Sequence, residues 1–84
     1  MTSDARTDFA WVIEAPGPNY LAVREIGHQH NFFWTKDHRI ALRFWTKEQA
    51  DGVMMAVRRL SPDLWAFALT LGDAWPVEHA WMEP

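Results

Sequence analysis

Histidines are the residues in this sequence best suited to metal or proton chemistry, and three of the four lie close together along the chain. His28 and His30 flank one glutamine, so their imidazoles fall on one side of any extended segment. His38 follows in the next predicted turn, and three imidazoles can hold zinc or nickel. No carboxylate stands at a ligand spacing, and a His-x-His in a polar loop is more typical of a solvated connection. We therefore predict no metal and no other cofactor.

Nucleophilic and phosphate chemistry have no support in the sequence. The chain contains no cysteine, and Ser61 precedes a proline at a predicted helix end rather than occupying a strained catalytic turn. Glu78 and His79 are adjacent, and adjacent strand residues face opposite ways. The four glycines are scattered, so no phosphate-binding loop is present. These features predict a protein that is not an enzyme.

The charge of the chain is unevenly distributed. Residues 24–59 contain seven Lys or Arg and four acidic residues, giving +3, whereas the remainder contains one Arg and seven acidic residues, giving −6. The basic region includes one candidate basic patch: Lys36, His38, Arg39 and Arg43. Neighbouring aromatic residues at 32–34 can stack on nucleic-acid bases. The net charge of −3 argues against direct nucleic-acid binding.

Short or alternating apolar runs predict five strands, at residues 9–14, 20–25, 32–34, 40–44 and 65–71. Two prolines around Gly17 separate the first two strands, which favours a hairpin. In the fourth predicted strand, Ile40, Leu42 and Phe44 alternate with smaller or polar residues and are expected to face the core. In the fifth, large apolar residues alternate with small ones.

One amphipathic helix is predicted between the fourth and fifth strands. Thr46 and Gln49 form a capping box, in which a hydroxyl caps the helix and the glutamine reaches back. Behind it, apolar residues recur at helical spacing: Ala50, Val53, Met54, Val57 and Leu60. Ser61 before Pro62 ends the helix, because a residue that precedes proline is pushed out of helical geometry.

The order of these elements predicts an α+β domain with a ββββαβ arrangement. One amphipathic helix packs on one face of an antiparallel sheet of four to five strands. We expect residues 1–8 to be a flexible N-terminal tail, residues 9–84 to form a single domain, and residues 72–84 to be an irregular C-terminal arm. The start lacks an apolar signal sequence, and no uncharged stretch approaches membrane-spanning length. We therefore expect a cytoplasmic protein without a membrane partner.

Six tryptophans in 84 residues exceed what a small core requires. Three of them fit a core: Trp11, Trp34 and Trp65. The other three are harder to bury: Trp45, Trp75 and Trp81. The C-terminal arm can fold back and close the core, its tryptophans can form a protein-interaction hot spot, and the two roles are not exclusive.

The segment from Ala41 to Ala50 resembles segments of many small phage and prophage proteins, in which Ala-x-x-Phe-x-Thr-x-Glu-x-Ala opens a single helix behind a few strands. The resemblance covers residues 34–71. In size, acidity and lack of catalytic residues, the chain is also similar to the anti-CRISPR proteins. This resemblance implies a non-catalytic inhibitor that binds a type I Cas surveillance complex in the bacterial host cytoplasm and blocks recognition of target DNA.

For such a contact, the charge layout favours a set of acidic and tryptophan residues: Glu14, Asp73, Trp75, Glu78, Trp81 and Glu83. The tryptophans would serve as anchors and the carboxylates would supply charge. Two alternatives stay open. One is a phage or bacterial accessory protein that binds another host protein, and the other is a small nucleic-acid-associated module that uses the hairpin from Lys36 to Arg43. An exposed edge strand is compatible with either a monomer or a weak homodimer.

Overall fold

Three strands, two helices and a returning strand follow one another along the chain. The computed structural model describes the backbone of residues 7–82 and the side chains of residues 9–80. Its strands are β1 (Thr7–Ala15), β2 (Asn19–Ile26), β3 (Gln29–Thr35) and β4 (Trp75–Met82). Its helices are α1 (Lys47–Leu60) and α2 (Pro62–Leu71). Within these residues the strands form one antiparallel sheet in the order β3-β2-β1-β4, which confirms the predicted α+β class.

Two glycine-containing turns set up the first three strands. Gly17, between β1 and β2, has a φ of 149°, a backbone angle that side-chain-bearing residues rarely adopt. Gly27 has a φ of 63° and occupies the first position of the two-residue turn between β2 and β3. Glycine is favoured at that position because a tight hairpin turn requires a positive φ there.

Helix α1 begins where the capping box predicts. The Thr46 hydroxyl oxygen accepts a hydrogen bond from the backbone N–H of Gln49 at 3.1 Å. The Gln49 side-chain oxygen accepts in return from the backbone N–H of Trp45 at 3.0 Å, one residue earlier than in the usual box. Ala50 and Val57 are buried as expected, whereas Leu60, predicted to lie on the buried stripe, is exposed.

We expect Thr46→Ala to lower the free energy of unfolding by about 1 kcal/mol, because the first turn of α1 loses its side-chain acceptor. Urea denaturation followed by circular dichroism measures the change. Thr46→Ser keeps an acceptor oxygen and should retain most of the stability. Equal midpoints for Thr46→Ala and the unmodified protein would show that the cap contributes nothing.

The prediction of a strand at residues 65–71 is wrong, because these residues form most of α2. Trp65 and Ala68, which are three positions apart, are buried, whereas Phe67 and Leu69 are exposed. The alternation of large and small residues therefore concealed a helical period. Pro62 occupies the first turn of α2, a position that proline favours because no N–H is needed there. The predicted ββββαβ order with one helix is accordingly corrected to three strands, two helices and a strand.

The prediction of a strand at residues 40–44 is wrong, because only Phe44 pairs with a strand, through an isolated antiparallel bridge to Trp11. His38–Ile40 form a turn of 3-10 helix, and Ile40 is exposed rather than in the core. Phe44 then exchanges two backbone hydrogen bonds with Trp11, each 2.8 Å long, and the Leu42 N–H donates to the Leu21 carbonyl at 2.9 Å. Residues 42–44 therefore lie between β1 and β2, which pair with each other next to their connecting loop.

The segment expected to be an irregular arm forms the edge strand β4 instead. It pairs antiparallel with β1 over the whole of its length, from Trp75 opposite Glu14 to Met82 opposite Thr7. Pro76 is compatible with a strand here because β4 lies at the edge of the sheet, where proline is tolerated. Residues 1–6 of the predicted tail, together with residues 83 and 84, lie outside the described part of the chain.

The core lies between the sheet and the two helices. Ile13 and Leu21 from the sheet meet Val57 and Trp65 from the helices, and all four are buried. Trp11 and Trp34 are partly buried against this cluster, as expected. A smaller cluster, formed by Val12, Tyr20 and Ala41, covers the opposite face of the sheet. Neither of the helices in residues 7–82 is long and apolar enough to cross a membrane.

Candidate protein-binding surface

The most exposed large apolar side chain among residues 9–80 is Trp45, which is 85% exposed. Because Phe44 pairs antiparallel with Trp11, Trp45 runs alongside the neighbouring part of β1. Between them lies a groove of about 370 Å³. We call it the aromatic groove, and it is lined by Phe9, Ala10, Arg43, Phe44 and Trp45.

The backbone holds Trp45 in place although its side chain lies in solvent. Its N–H is bonded to the Gln49 side chain, and the next residue, Thr46, caps α1. Phe9 is also exposed, and Arg43 lines the same groove. Tryptophan and arginine are the residue types most enriched in interaction hot spots. The groove therefore has the composition of a contact for another protein.

The structure does not bring the predicted acidic and tryptophan set together on one surface. Trp75 lies directly opposite Glu14 on the same face of the sheet and is 49% exposed. Asp73, two residues earlier, has a φ of 88°, and its carboxylate accepts from the Ala74 N–H at 2.8 Å. Glu78 lies on the other face, because it is three residues from Trp75 along β4. The side chain of Trp81 and the whole of Glu83 lie outside the described residues.

The four residues of the candidate basic patch do not act as one charged surface. Arg39 forms an ion pair with Asp37, and the Arg39 Nε to Asp37 Oδ1 distance is 3.0 Å. Hydrogen bonds from Arg39 hold the pKa of Asp37 below its usual value, and those same bonds raise the pKa of Arg39. His38 stacks on His79, and Arg43 lines the aromatic groove. Lys36, the fourth member, is exposed.

The histidines separate into two groups at opposite ends of β3. His38 stacks on His79 with ring centroids 5.5 Å apart, after β3 has ended. His30 lies near the start of β3, 4.0 Å from Glu25, and His28 lies in the preceding turn. The approach of His38 to the other two, considered from the sequence, does not occur. Among the described residues, no three potential ligands are placed to hold a metal ion.

Tyr20 lies on the sheet face that the helices leave uncovered, in the cluster with Val12 and Ala41. It is buried, and its ring meets His79 edge-on at 5.8 Å. Burial, and to a smaller extent the carboxylate of Glu14, raises the pKa of Tyr20 above 10.0. Both causes disfavour the phenolate, because neither a nonpolar environment nor a neighbouring negative charge stabilises an anion.

We expect the Tyr20 phenol to ionise at a higher pH in the folded protein than in the unfolded one. Since the folded-state pKa is raised, its contribution to stability is fully present below pH 10.0 and is lost as the pH rises through the folded-state pKa. Tyr20 is the only tyrosine in the chain, so phenolate absorbance reports this group directly. Titration at the same pH in native buffer and in denaturant would contradict the expectation. Tyr20→Phe, which should lack the absorbance change, is the control.

The sequence does not assign Phe9 and Phe44 to a surface site, because both lie in predicted strands and Phe44 is expected to face the core. The sequence signal that points to this surface is Trp45, which the sequence predicts to be hard to bury. No protein-family model matches the chain, and no curated protein or solved structure is detectably similar to it.

Proposed function

We propose that this chain is a non-catalytic protein-binding protein and that the aromatic groove is its principal contact surface. The observation that carries the proposal is the exposure of Trp45, which is 85% accessible while its backbone is fixed by the start of α1. A tryptophan side chain has only two rotatable bonds, so it loses little conformational freedom when it binds. Exposed tryptophan in a folded domain is therefore well suited to anchor a partner.

The groove also indicates the chemistry of the segment it would bind. Phe9, Phe44 and Trp45 offer apolar surface. A partner segment that carries an aromatic or aliphatic side chain fits this lining. The Trp75 and Glu14 pair, at the far end of β1, provides a second and smaller contact.

The narrower proposal is that the partner is a Cas subunit of a type I CRISPR complex and that binding blocks recognition of target DNA. Its support is the resemblance to the anti-CRISPR proteins. An accessory protein that binds another host protein would use the same groove. The nucleic-acid alternative has less support, because Arg39 is paired with Asp37 and His38 is stacked on His79.

Affinity purification from a lysate of bacteria that express a type I CRISPR complex tests both proposals. Tagged unmodified protein and its Trp45→Ala variant are compared by quantitative mass spectrometry. Met55→Ala, which removes another exposed apolar side chain on α1, is the matched control. We expect Cas subunits to be recovered in near-stoichiometric amounts with the unmodified protein and with Met55→Ala, and to be lost with Trp45→Ala.

The other outcomes separate the alternatives. Recovery of a different defined protein would replace the CRISPR proposal while leaving the binding proposal in place. Equal recovery with Trp45→Ala would show that the groove is not the contact. Nucleic acid that is released by moderate salt would favour the nucleic-acid module, because phosphate contacts weaken steeply as salt increases. Recovery of the tagged protein alone would contradict the CRISPR proposal.

A further inference from the structure

The two edges of the sheet differ in how they are protected against pairing with another strand. Edge strands with unpaired backbone groups template such pairing, and proteins usually block them with proline or charge. The edge strand β4 contains Pro76 and Glu78. The opposite edge strand β3 reads Gln-His-Asn-Phe-Phe-Trp-Thr and contains neither proline nor any Lys, Arg, Asp or Glu.

Hairpin geometry identifies the backbone groups that β3 presents at its outer edge. The two-residue turn pairs Ile26 with Gln29, and such a closing pair exchanges its hydrogen bonds across the hairpin. Every second residue after Gln29 also faces β2, so the N–H and C=O groups of His30, Phe32 and Trp34 point away from it. Within residues 7–82, no backbone hydrogen bond from another segment reaches these groups.

We propose that β3 pairs antiparallel with β3 of a second copy of this chain, around a twofold axis at Phe32. In this register Phe32 faces Phe32 of the second copy, and the His30 of each copy faces the Trp34 of the other. Each of the three resulting residue pairs exchanges two backbone hydrogen bonds. The two four-stranded sheets become one continuous sheet.

A second copy suits this edge because the pairing is self-complementary in charge and in side chains. Neither β3 strand contains a charged residue, so none is brought opposite a like charge. The nearest lysine, Lys36, follows the end of β3, and the antiparallel arrangement places the two copies of it at opposite ends. Phe32, Phe33 and Trp34 are only partly buried in one copy. Cross-strand aromatic pairs of this kind stabilise a sheet.

Helix α2 supplies further surface for the same contact. It packs beside β3, because the Trp34 indole N–H donates to the Leu64 carbonyl at 3.0 Å. A twofold axis perpendicular to the sheet keeps both α2 helices on the same face. Outside its buried side, α2 exposes Phe67 and Leu69 and carries one charge, Asp63. Stable interfaces bury roughly 1,200–2,000 Å² of surface. The two α2 helices would add buried area to that of the two seven-residue strands.

Sedimentation equilibrium over a range of protein concentrations tests the proposal. We expect the unmodified protein to be in a monomer–dimer equilibrium. His30→Pro removes an outward N–H from each copy while leaving the ladder to β2 intact. It should weaken dimerisation roughly thirtyfold, since two interface hydrogen bonds are lost.

A charge variant provides a second test that does not depend on proline. Asn31→Lys places a protective charge within β3 and should also weaken the dimer. Met55→Lys adds the same charge at an exposed position of α1, outside β3 and α2, and should dimerise like the unmodified protein. If circular dichroism shows that His30→Pro fails to fold, Asn31→Lys decides the question.

Two results would overturn the proposal. One is an unmodified protein that stays monomeric up to millimolar concentration, and the other is a dimer that Asn31→Lys leaves unchanged. The test is independent of the proposed binding function. Trp45 lies outside β3 and α2, so Trp45→Ala should dimerise normally even where it no longer binds a partner.

Discussion

Replacing Trp65 with alanine is expected to lower the free energy of unfolding by about 4 kcal/mol, a large part of the stability of a small domain. Trp65 is 3% exposed, and its ring lies 5.7 Å from that of Trp34, with the Arg58 guanidinium 5.6 Å away on its ring. Removing the indole leaves a cavity between α2 and the sheet, because a packed core relaxes only partly around a deleted side chain. Urea denaturation at fixed pH measures the loss.

Phe67 is the matched control for this substitution. If residues 65–71 were a strand, Trp65 and Phe67 would lie on one face and their alanine variants would be similarly costly. In the helix, Phe67 is about half-exposed, so Phe67→Ala should cost only about 1 kcal/mol. Equal losses for the two variants would contradict the assignment of α2.

Trp65→Phe tests the contribution of the indole N–H separately from that of the apolar ring. The Trp65 N–H is buried and has no acceptor among the described residues. A buried donor without a partner costs about 1–3 kcal/mol, and phenylalanine removes it while keeping most of the apolar contact. We therefore expect Trp65→Phe to be much less destabilising than Trp65→Ala.

Trp45→Ala is expected to weaken binding to the partner recovered by affinity purification by about 2 kcal/mol or more, which corresponds to roughly thirtyfold in Kd. The unfolding free energy should change little, because a side chain that is 85% exposed contributes little to the core. Isothermal titration calorimetry with the purified partner measures the affinity. Chemical denaturation of the same preparation measures the stability.

Trp75→Ala tells which tryptophan anchors the partner. It removes the exposed residue beside Glu14, at the other end of β1, and should reduce the affinity less than Trp45→Ala does. The opposite ranking, with Trp45→Ala binding normally, would assign the contact to the acidic and tryptophan set. A loss of stability without a loss of affinity in Trp45→Ala would mean that Trp45 is structural.

Local signals predicted the parts of the fold that depend on neighbours in sequence. The cap at Thr46, the stripe through Ala50 and Val57, and the turn at Gly17 are all set by residues within a few positions of one another. Strand β4 escaped prediction because the pairing that defines it is with β1, more than sixty residues earlier along the chain. Its own residues, which include Pro76, give no alternating pattern.

The candidate site likewise combines a residue that local sequence signals predict with residues that only long-range pairing brings together. The sequence predicts that Trp45 is hard to bury, and its exposure agrees with that prediction. The groove cannot be predicted, because Phe9 comes from the start of β1 and reaches Phe44 through a pairing that no local pattern encodes. The strand prediction for residues 65–71, which lie in α2, failed for a different reason. Phe67 and Leu69 are exposed, so its apolar residues do not follow the one-sided stripe that marks a surface helix.

The placement of residues 42–44 between β1 and β2 has a consequence for the order in which the sheet is assembled. The carbonyl of Leu21 and both backbone groups of Trp11 find their partners in Leu42 and Phe44. The hairpin at the start of the chain is therefore completed by a segment synthesised after it. When only the first three strands have been synthesised, residues 42–44, which bind the backbone of β1 and β2, are still missing. Assembly of this sheet therefore cannot proceed strictly from one end of the chain to the other.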